Sequence, residues 1–303
     1  MAGQMTHDDL AMIEYRDDPM LLLLARSEAV NDRSGQMLGS LGCRQTALAG
    51  FAAAADRLDE GAAPDVVFLE LDGDEGEGLD HLLDRIDQGT RTARFSSIIA
   101  SPPSLIDVVT ARAFHAGVFH LIDPSDEQRR DAVRSLLGGQ WASLHDVGKG
   151  GPPIKLQQLS EEVGRIATIL ATLSEHEDDN GLDGAAEDNV SAQQVRNIIR
   201  ARRLRDQYFG ADLFADPAWD MLLDLMAARL EQQRVAVSSL CIAASVPATT
   251  ALRWIKALTE QGLFVRSADP QDGRRVYIEL SETAAAALAA YLRAAQRISS
   301  FLA

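Results

Sequence analysis

Ser238-Ser-Leu-Cys-Ile-Ala-Ala-Ser-Val-Pro-Ala-Thr-Thr-Ala-Leu-Arg-Trp-Ile-Lys-Ala-Leu-Thr-Glu-Gln-Gly-Leu-Phe-Val-Arg266 holds two helical patterns separated by a turn. Ser238 or Ser239 is positioned to cap a short first helix, and Ser245-Val-Pro247 supplies the turn. Pro247 or the residues after it open the next helix, with Thr249 as a candidate cap, and Gly262 ends it. Leu252, Ile255 and Leu258 recur at helical spacing and define its buried face. Thr250, Arg253 and Ala257 then point outward, with Thr249 and Lys256 at the margins of that outward set. Small residues and hydroxyls at a helix start allow close approach to base edges, and an arginine can hold guanine with two hydrogen bonds.

Two alternating runs follow, Leu263 to Ser267 and Val276 to Leu280, around the polar loop Ala268-Asp-Pro-Gln-Asp-Gly-Arg-Arg275. They predict a hairpin whose tip carries Asp272, Gly273, Arg274 and Arg275. An arginine at such a tip can enter the minor groove of DNA. Upstream, helical patterns cover about 190–208, 217–232 and 238–244, and a long Ala-rich helix begins at 281. Helices, then a hairpin, then a last helix make a winged helix-turn-helix, an α+β unit over 190–303.

This part resembles the MarR family of winged-helix regulators on three stretches. Asp269-Pro-Gln-Asp-Gly-Arg274 resembles the family's wing, Leu258-Thr-Glu-Gln-Gly-Leu263 the end of its recognition helix, and Leu280-Ser-Glu-Thr-Ala284 the start of its last helix. The resemblance implies a dimer built from the first and last helices, about 190–208 and 281–302. It also implies that Asp272 orients Arg274 or Arg275 toward the DNA backbone. For Arg196, Arg200, Arg202, Arg203 and Arg205 two roles stay open, contact with flanking phosphates or solvation of the first helix.

Outward from there, residues 20–140 alternate apolar runs with helix-like segments. The runs are Met20 to Ala25, Cys43 to Ala47, Val66 to Glu70, Ser97 to Ala100 and Val118 to Ile122. The helix-like segments lie around 28–40, 49–60, 77–88, 105–116 and 126–137. Strands apolar on both faces, separated by helices, predict a five-stranded parallel sheet in an α/β domain. The order and spacing resemble a two-component receiver. Glu70 stands where that resemblance places the phospho-accepting aspartate. The first strand runs into Ala25-Arg-Ser27 with no carboxylate for Mg²⁺, and Ile122-Asp-Pro124 lacks the expected lysine. Ser101 is the one position of the set that is kept. The pocket is therefore expected to be degenerate at Arg26, Ser101 and Asp123, and the domain not to accept phosphate. Glu70 is expected either to contact Arg26 or to be a plain polar strand end. Asp72, Asp74, Glu75 and Glu77 read as a solvated loop, with a divalent-cation patch as the rival.

Between the two domains, Leu156, Leu159, Val163, Ile166, Leu170 and Leu173 follow 3-4 spacing and predict a coiled-coil or signalling helix over 154–175. Residues 176–189 read as an acidic linker and 1–19 as an N-terminal tail.

Charge divides the same way. The chain carries −16 overall, yet residues 190–303 hold 14 basic against 11 acidic residues, a net of +3. Residues 1–189 hold the remaining 15 against 34, a net of −19. Phosphate binding needs local positive potential, which the C-terminal part alone supplies. No apolar run approaches the ~18 residues of a membrane span, and the first twenty residues are acidic. No membrane association and a cytoplasmic location are expected. Cys43 and Cys241 are expected to be buried free thiols, and no cofactor or metal is expected. No nucleophile–base or paired-carboxylate arrangement points to an enzyme. His115 and His120 fall in core-like segments, and Gly148-Lys-Gly-Gly lacks the context of a phosphate loop.

The function expected is a dimeric transcriptional regulator binding double-stranded DNA. Its pseudo-receiver domain serves dimerisation, or takes input from a protein or small molecule, without phosphorylation. Two rivals stand beside it: a partner-binding signalling protein whose winged helix mainly dimerises, and a ligand-sensing repressor.

Overall fold

The computed structural model describes residues 19–59, 63–74, 76–137, 190–209 and 215–300. The expected seam from Leu156 to Leu173, the acidic linker, Glu75 and nearly all of the N-terminal tail lie outside the described residues.

The first domain runs β1 (Met20–Ala25), α1 (Glu28–Leu38), β2 (Arg44–Ala49), α2 (Phe51–Asp59), β3 (Val66–Glu70), α3 (Glu77–Arg91), β4 (Ser96–Ser101), α4 (Ile106–Arg112), β5 (Val118–Ile122) and α5 (Asp126–Leu137). The strands form one parallel sheet in the order β2-β1-β3-β4-β5. Alternation along β1 shows why its residues are apolar throughout. Leu22 and Leu24 pack with Phe51, Leu58, Leu82 and Ile86 on one face. Leu21 and Leu23 pack with Leu38, Val133 and Leu136 on the other. A strand covered on both faces has no polar side, and each fully buried leucine contributes roughly 1.5–3 kcal/mol.

The second domain runs α6 (Ala192–Phe209), α7 (Pro217–Leu230), β6 (Val235–Ala236), α8 (Val237–Ala243), α9 (Ala248–Glu260), β7 (Phe264–Ala268), β8 (Val276–Leu280) and α10 (Glu282–Ser300). β6, β8 and β7 form an antiparallel sheet. The two-residue β6 went unpredicted because it is too short for an alternating pattern. Asp216 caps α7, accepting from the backbone N of Trp219 at 3.2 Å with Pro217 at the first helical position. Gly262 closes α9 at φ 72°, and the turn before α9 puts Ser245 at φ 55°. Leu252, Ile255 and Leu258 are buried as their spacing requires, with Ala251 and Trp254 beside them.

That apolar cluster does not stop at the domain boundary. Ile106 and Phe114 of the first domain are buried in it, and Ala111 and Ile122 pack against it. Cys241 is buried, but Cys43, expected to be buried, is partly exposed. Among the described residues, no helix is long and apolar enough to cross a membrane.

Candidate nucleic-acid interface

The helix-turn-helix pair is α8 and α9, and the hairpin β7–β8 lies beside it. Neither Ser238 nor Ser239 caps α8, which starts one residue earlier behind Ala236. One of its first-turn backbone donors is met from the other domain. Asp107 of α4 accepts from the Ser238 backbone N at 2.9 Å and from its hydroxyl at 2.6 Å. An acidic side chain near helical N–H groups is favoured by both hydrogen bonding and the helix dipole.

α9 departs from expectation in the same way. Thr249 is not its cap; Pro247 holds that position without a side-chain bond. The Thr249 hydroxyl instead accepts from the backbone N of Ile122, at the end of β5, at 2.9 Å. Lys256, expected near the outward face, is covered. Its Nζ donates to the carbonyls of His115 and Val118, both at 2.7 Å, and stands 5.1 Å from the Phe114 ring. Burial lowers its pKa to about 7, against the weaker upward pull of Glu260. Ala257 is likewise packed on the apolar cluster rather than open. Thr250 and Arg253 are partly exposed.

At the hairpin tip Asp272 engages both arginines. Its carboxylate accepts from the Arg274 backbone N at 3.0 Å and pairs with the Arg275 guanidinium at 3.4 Å. The two guanidinia then part. Arg275 stays 61% exposed, whereas Arg274 reaches the first domain and pairs with Asp74 at 2.5 Å and Asp80 at 3.0 Å. The hydrogen bonds from Arg274, with a second from the Gly76 backbone, hold the Asp74 carboxyl below its usual range. Asp72, Asp74 and Glu77 are exposed, as a solvated loop requires, yet Asp74 is paired, and among the described residues no cluster of three or more ligating side chains could hold a metal.

Arg266 of β7 also crosses. Its guanidinium donates to the backbone carbonyls of Thr110 and Phe114 and lies 4.7 Å from the Phe114 ring centroid. Sequence reasoning missed Arg266, Asp107 and Asp80, because nothing local marks a residue whose partner lies over a hundred positions away.

In the first helix, Arg196 bonds Glu231 and Asp224, and Arg202 bonds Asp220. These two tie α6 to α7. Arg200 donates to Asn197, and Arg203 to the Ala243 carbonyl.

In the receiver-like pocket, Glu70 ends β3 with its carboxylate held by Arg129 of α5, at 3.0 Å from Nε and 2.6 Å from Nη2. Sequence reasoning did not foresee this partner; Arg26, the partner it proposed, lies on the exposed turn after β1. Arg129 also donates to the Pro124 carbonyl, fixing the turn after β5. Asp123 occupies that turn at φ 48°, its backbone N donating to the Ser101 carbonyl at 3.0 Å. Ser101 is buried. A cavity of about 530 Å³ is lined by Val30, Arg33, Ser34, Met37, Asp126 and the Glu70–Arg129 pair.

Comparison with known proteins follows this division. Residues 222–284 match the family described as winged helix DNA-binding domain. The C-terminal part therefore contains a winged helix DNA-binding domain, and the N-terminal part has a receiver-like fold, defined by its strand order. Among solved structures, the chain is similar to the signal receiver domain of an HD domain-containing protein from Pseudomonas fluorescens Pf-5, at 23% identity, 41% of this chain, 97% of that chain and TM-score 0.34. It is similar to the signal receiver domain of a putative LuxO repressor protein from Vibrio parahaemolyticus, at 19% identity, 41% and 92% coverage and TM-score 0.32. It is also similar to a probable transcriptional regulator from Pseudomonas aeruginosa, at 26% identity, 34% and 74% coverage and TM-score 0.23. No curated protein matches the chain.

Proposed function

We propose that this chain is a non-enzymatic transcriptional regulator that binds duplex DNA as a homodimer and takes its input without phosphorylation. The observation that carries DNA binding is the coincidence of the winged helix DNA-binding match with α9 and an arginine-bearing hairpin tip. α9 would enter the major groove with Thr249, Thr250, Arg253 and Lys256, while Arg274 and Arg275 reach the flanking minor groove or backbone.

Phosphorylation independence is supported by side chains. The acceptor position holds Glu70, already engaged by Arg129. The loop after β1 offers Arg26 and Ser27 where two carboxylates would be needed to hold Mg²⁺. A small-molecule phosphodonor with Mg²⁺ should leave no acyl phosphate on the protein. Dimerisation is supported by exposed apolar groups on the two helices expected to form it: Leu204 and Tyr208, 48% and 75% exposed on α6, and Tyr291 on α10. Sedimentation should report a dimer that Tyr208→Glu weakens.

The deciding experiment is binding of the full chain to random-sequence duplex across a salt series. Because Arg274 is paired with Asp74 and Asp80, the series is run in the wild type and in a D74N/D80N background. Affinity should fall steeply with salt, and Arg253→Ala with Arg275→Ala should lower both affinity and slope. Equal binding with and without the two arginines, in both backgrounds, would overturn the assignment.

A further inference from the structure

The strand order leaves β5 at an open edge of the first domain's sheet. Ser97 N donates to Gly117 O, and Asp123 N donates to Ser101 O, so the odd-numbered residues of β5 turn their backbone groups toward β4. The N–H and C=O groups of Val118, His120 and Ile122 therefore point away from the sheet. An open edge of this kind exposes unpaired donors and acceptors, which proteins usually cover or blunt. Here two of these groups are met by α9: Ile122 N by the Thr249 hydroxyl, and Val118 O by the Lys256 ammonium group.

Four further contacts lie along the same seam. Asp107 takes the first turn of α8, and Arg266 takes two carbonyls at the end of α4 while stacking on Phe114. Asp74 and Asp80 hold the Arg274 guanidinium through three charge-assisted hydrogen bonds, the kind of bond an arginine also makes to phosphate. Ile106 and Phe114 close the apolar middle.

We propose that the α4–β5 edge of the receiver-like domain is an intramolecular lid on the DNA-reading surface, so that this edge and duplex DNA compete for the same side chains. The inference rests on the DNA-reading role given above to α9 and the hairpin tip. Thr249 and Lys256 cannot bond β5 and reach a base or phosphate at once. A major groove about 12 Å wide admits α9 only when nothing else lies against its outer face. Arg274 must leave two carboxylates before it can meet a phosphate. The net negative charge of residues 1–189 acts in the same direction, repelling DNA from the closed form. Whatever draws the receiver-like domain away from α9 exposes the whole set together.

The test measures affinity of the full chain for a random 25-base-pair duplex in three proteins: wild type, D74N/D80N, and a charge-matched control, D32N/D56N, altered on exposed acids away from the seam. Hydrogen exchange at the Ile122 amide is followed with and without duplex. The lid predicts that D74N/D80N binds at least tenfold more tightly than D32N/D56N, and that saturating duplex accelerates exchange at Ile122. Measurable binding with D74N/D80N equal to the control, and Ile122 equally protected in the complex, would overturn the lid while leaving DNA reading intact. No binding by any of the three at low salt would overturn DNA reading and the lid with it.

Discussion

Lys256 of α9 places its Nζ 2.7 Å from the carbonyl oxygen of Val118, an outward-facing group on the last strand of the other domain's sheet. A lysine of α9 thereby meets one of the outward backbone groups of a strand edge. Its ammonium group is held by the carbonyl dipoles of His115 and Val118 in a largely buried site.

That burial makes the docked arrangement sensitive to pH. Lys256 has a pKa of about 7 when docked and the ordinary 10.5 when released. The charged groups facing it are Glu260 and Arg253 on its own helix, Arg266 on β7, and His115 and His120 around β5. Below pH 7 the lysine is protonated in both forms and its contribution is flat. Between pH 7 and 10.5 the released form binds more protons, so docking strengthens as pH rises. Thermal melts from pH 7 to 9.5 should show the wild type gaining stability relative to Lys256→Met, and a constant difference would refute this.

Gly89 sits in α3 directly under the Phe95 ring, where an added Cβ would collide with the ring atoms. Phe95 is buried and cannot swing away freely. Gly89→Ala should destabilise the protein by about 1–3 kcal/mol despite alanine's better helix propensity. Denaturant titration should show that Phe95→Leu recovers part of the loss.

The Glu70–Arg129 pair joins β3 to α5 with both side chains under 20% exposed. Arg129→Ala strands a mostly covered carboxylate and releases the Pro124 carbonyl, so about 1.5–3 kcal/mol should be lost. Glu70→Gln should cost less, since an amide still accepts one of the two bonds. A larger loss for Glu70→Gln in urea melts would contradict the geometry.

Asp216 caps α7 through its bond to Trp219 N. Asp216→Ala should lower stability by ~1 kcal/mol, while Asp216→Ser or Asn keeps most of it. Chemical denaturation of the three variants checks this ranking.

Most elements of both domains could be read from the chain because local rules fix them. Apolar runs with helices between them specify covered parallel strands, and the run Val66 to Glu70 became β3 without a change of bounds. The 3-4 spacing of Leu252, Ile255 and Leu258 set the buried face of α9, and Gly262 ended it at positive φ. The candidate DNA-reading residues were legible as types at the start of a helix and the tip of a hairpin. Their engagement was not. Asp74 looked like solvated charge, Thr249 like a cap and Lys256 like an outward cation, because their partners lie 127 to 200 positions away. Likewise the bond of Glu70 to Arg129 of α5 was not legible, because it depends on how α5 packs over the sheet.

Sequence alone thus determined most of the helices and strands, how charge divides between the two parts, and which residue types the receiver-like pocket lacks. All are set by periodicity, turn chemistry and composition within a few residues. Only the tertiary structure decided that two backbone groups on the open edge of β5 are met by α9. Pairing of distant groups depends on which surfaces meet, and no local pattern encodes that.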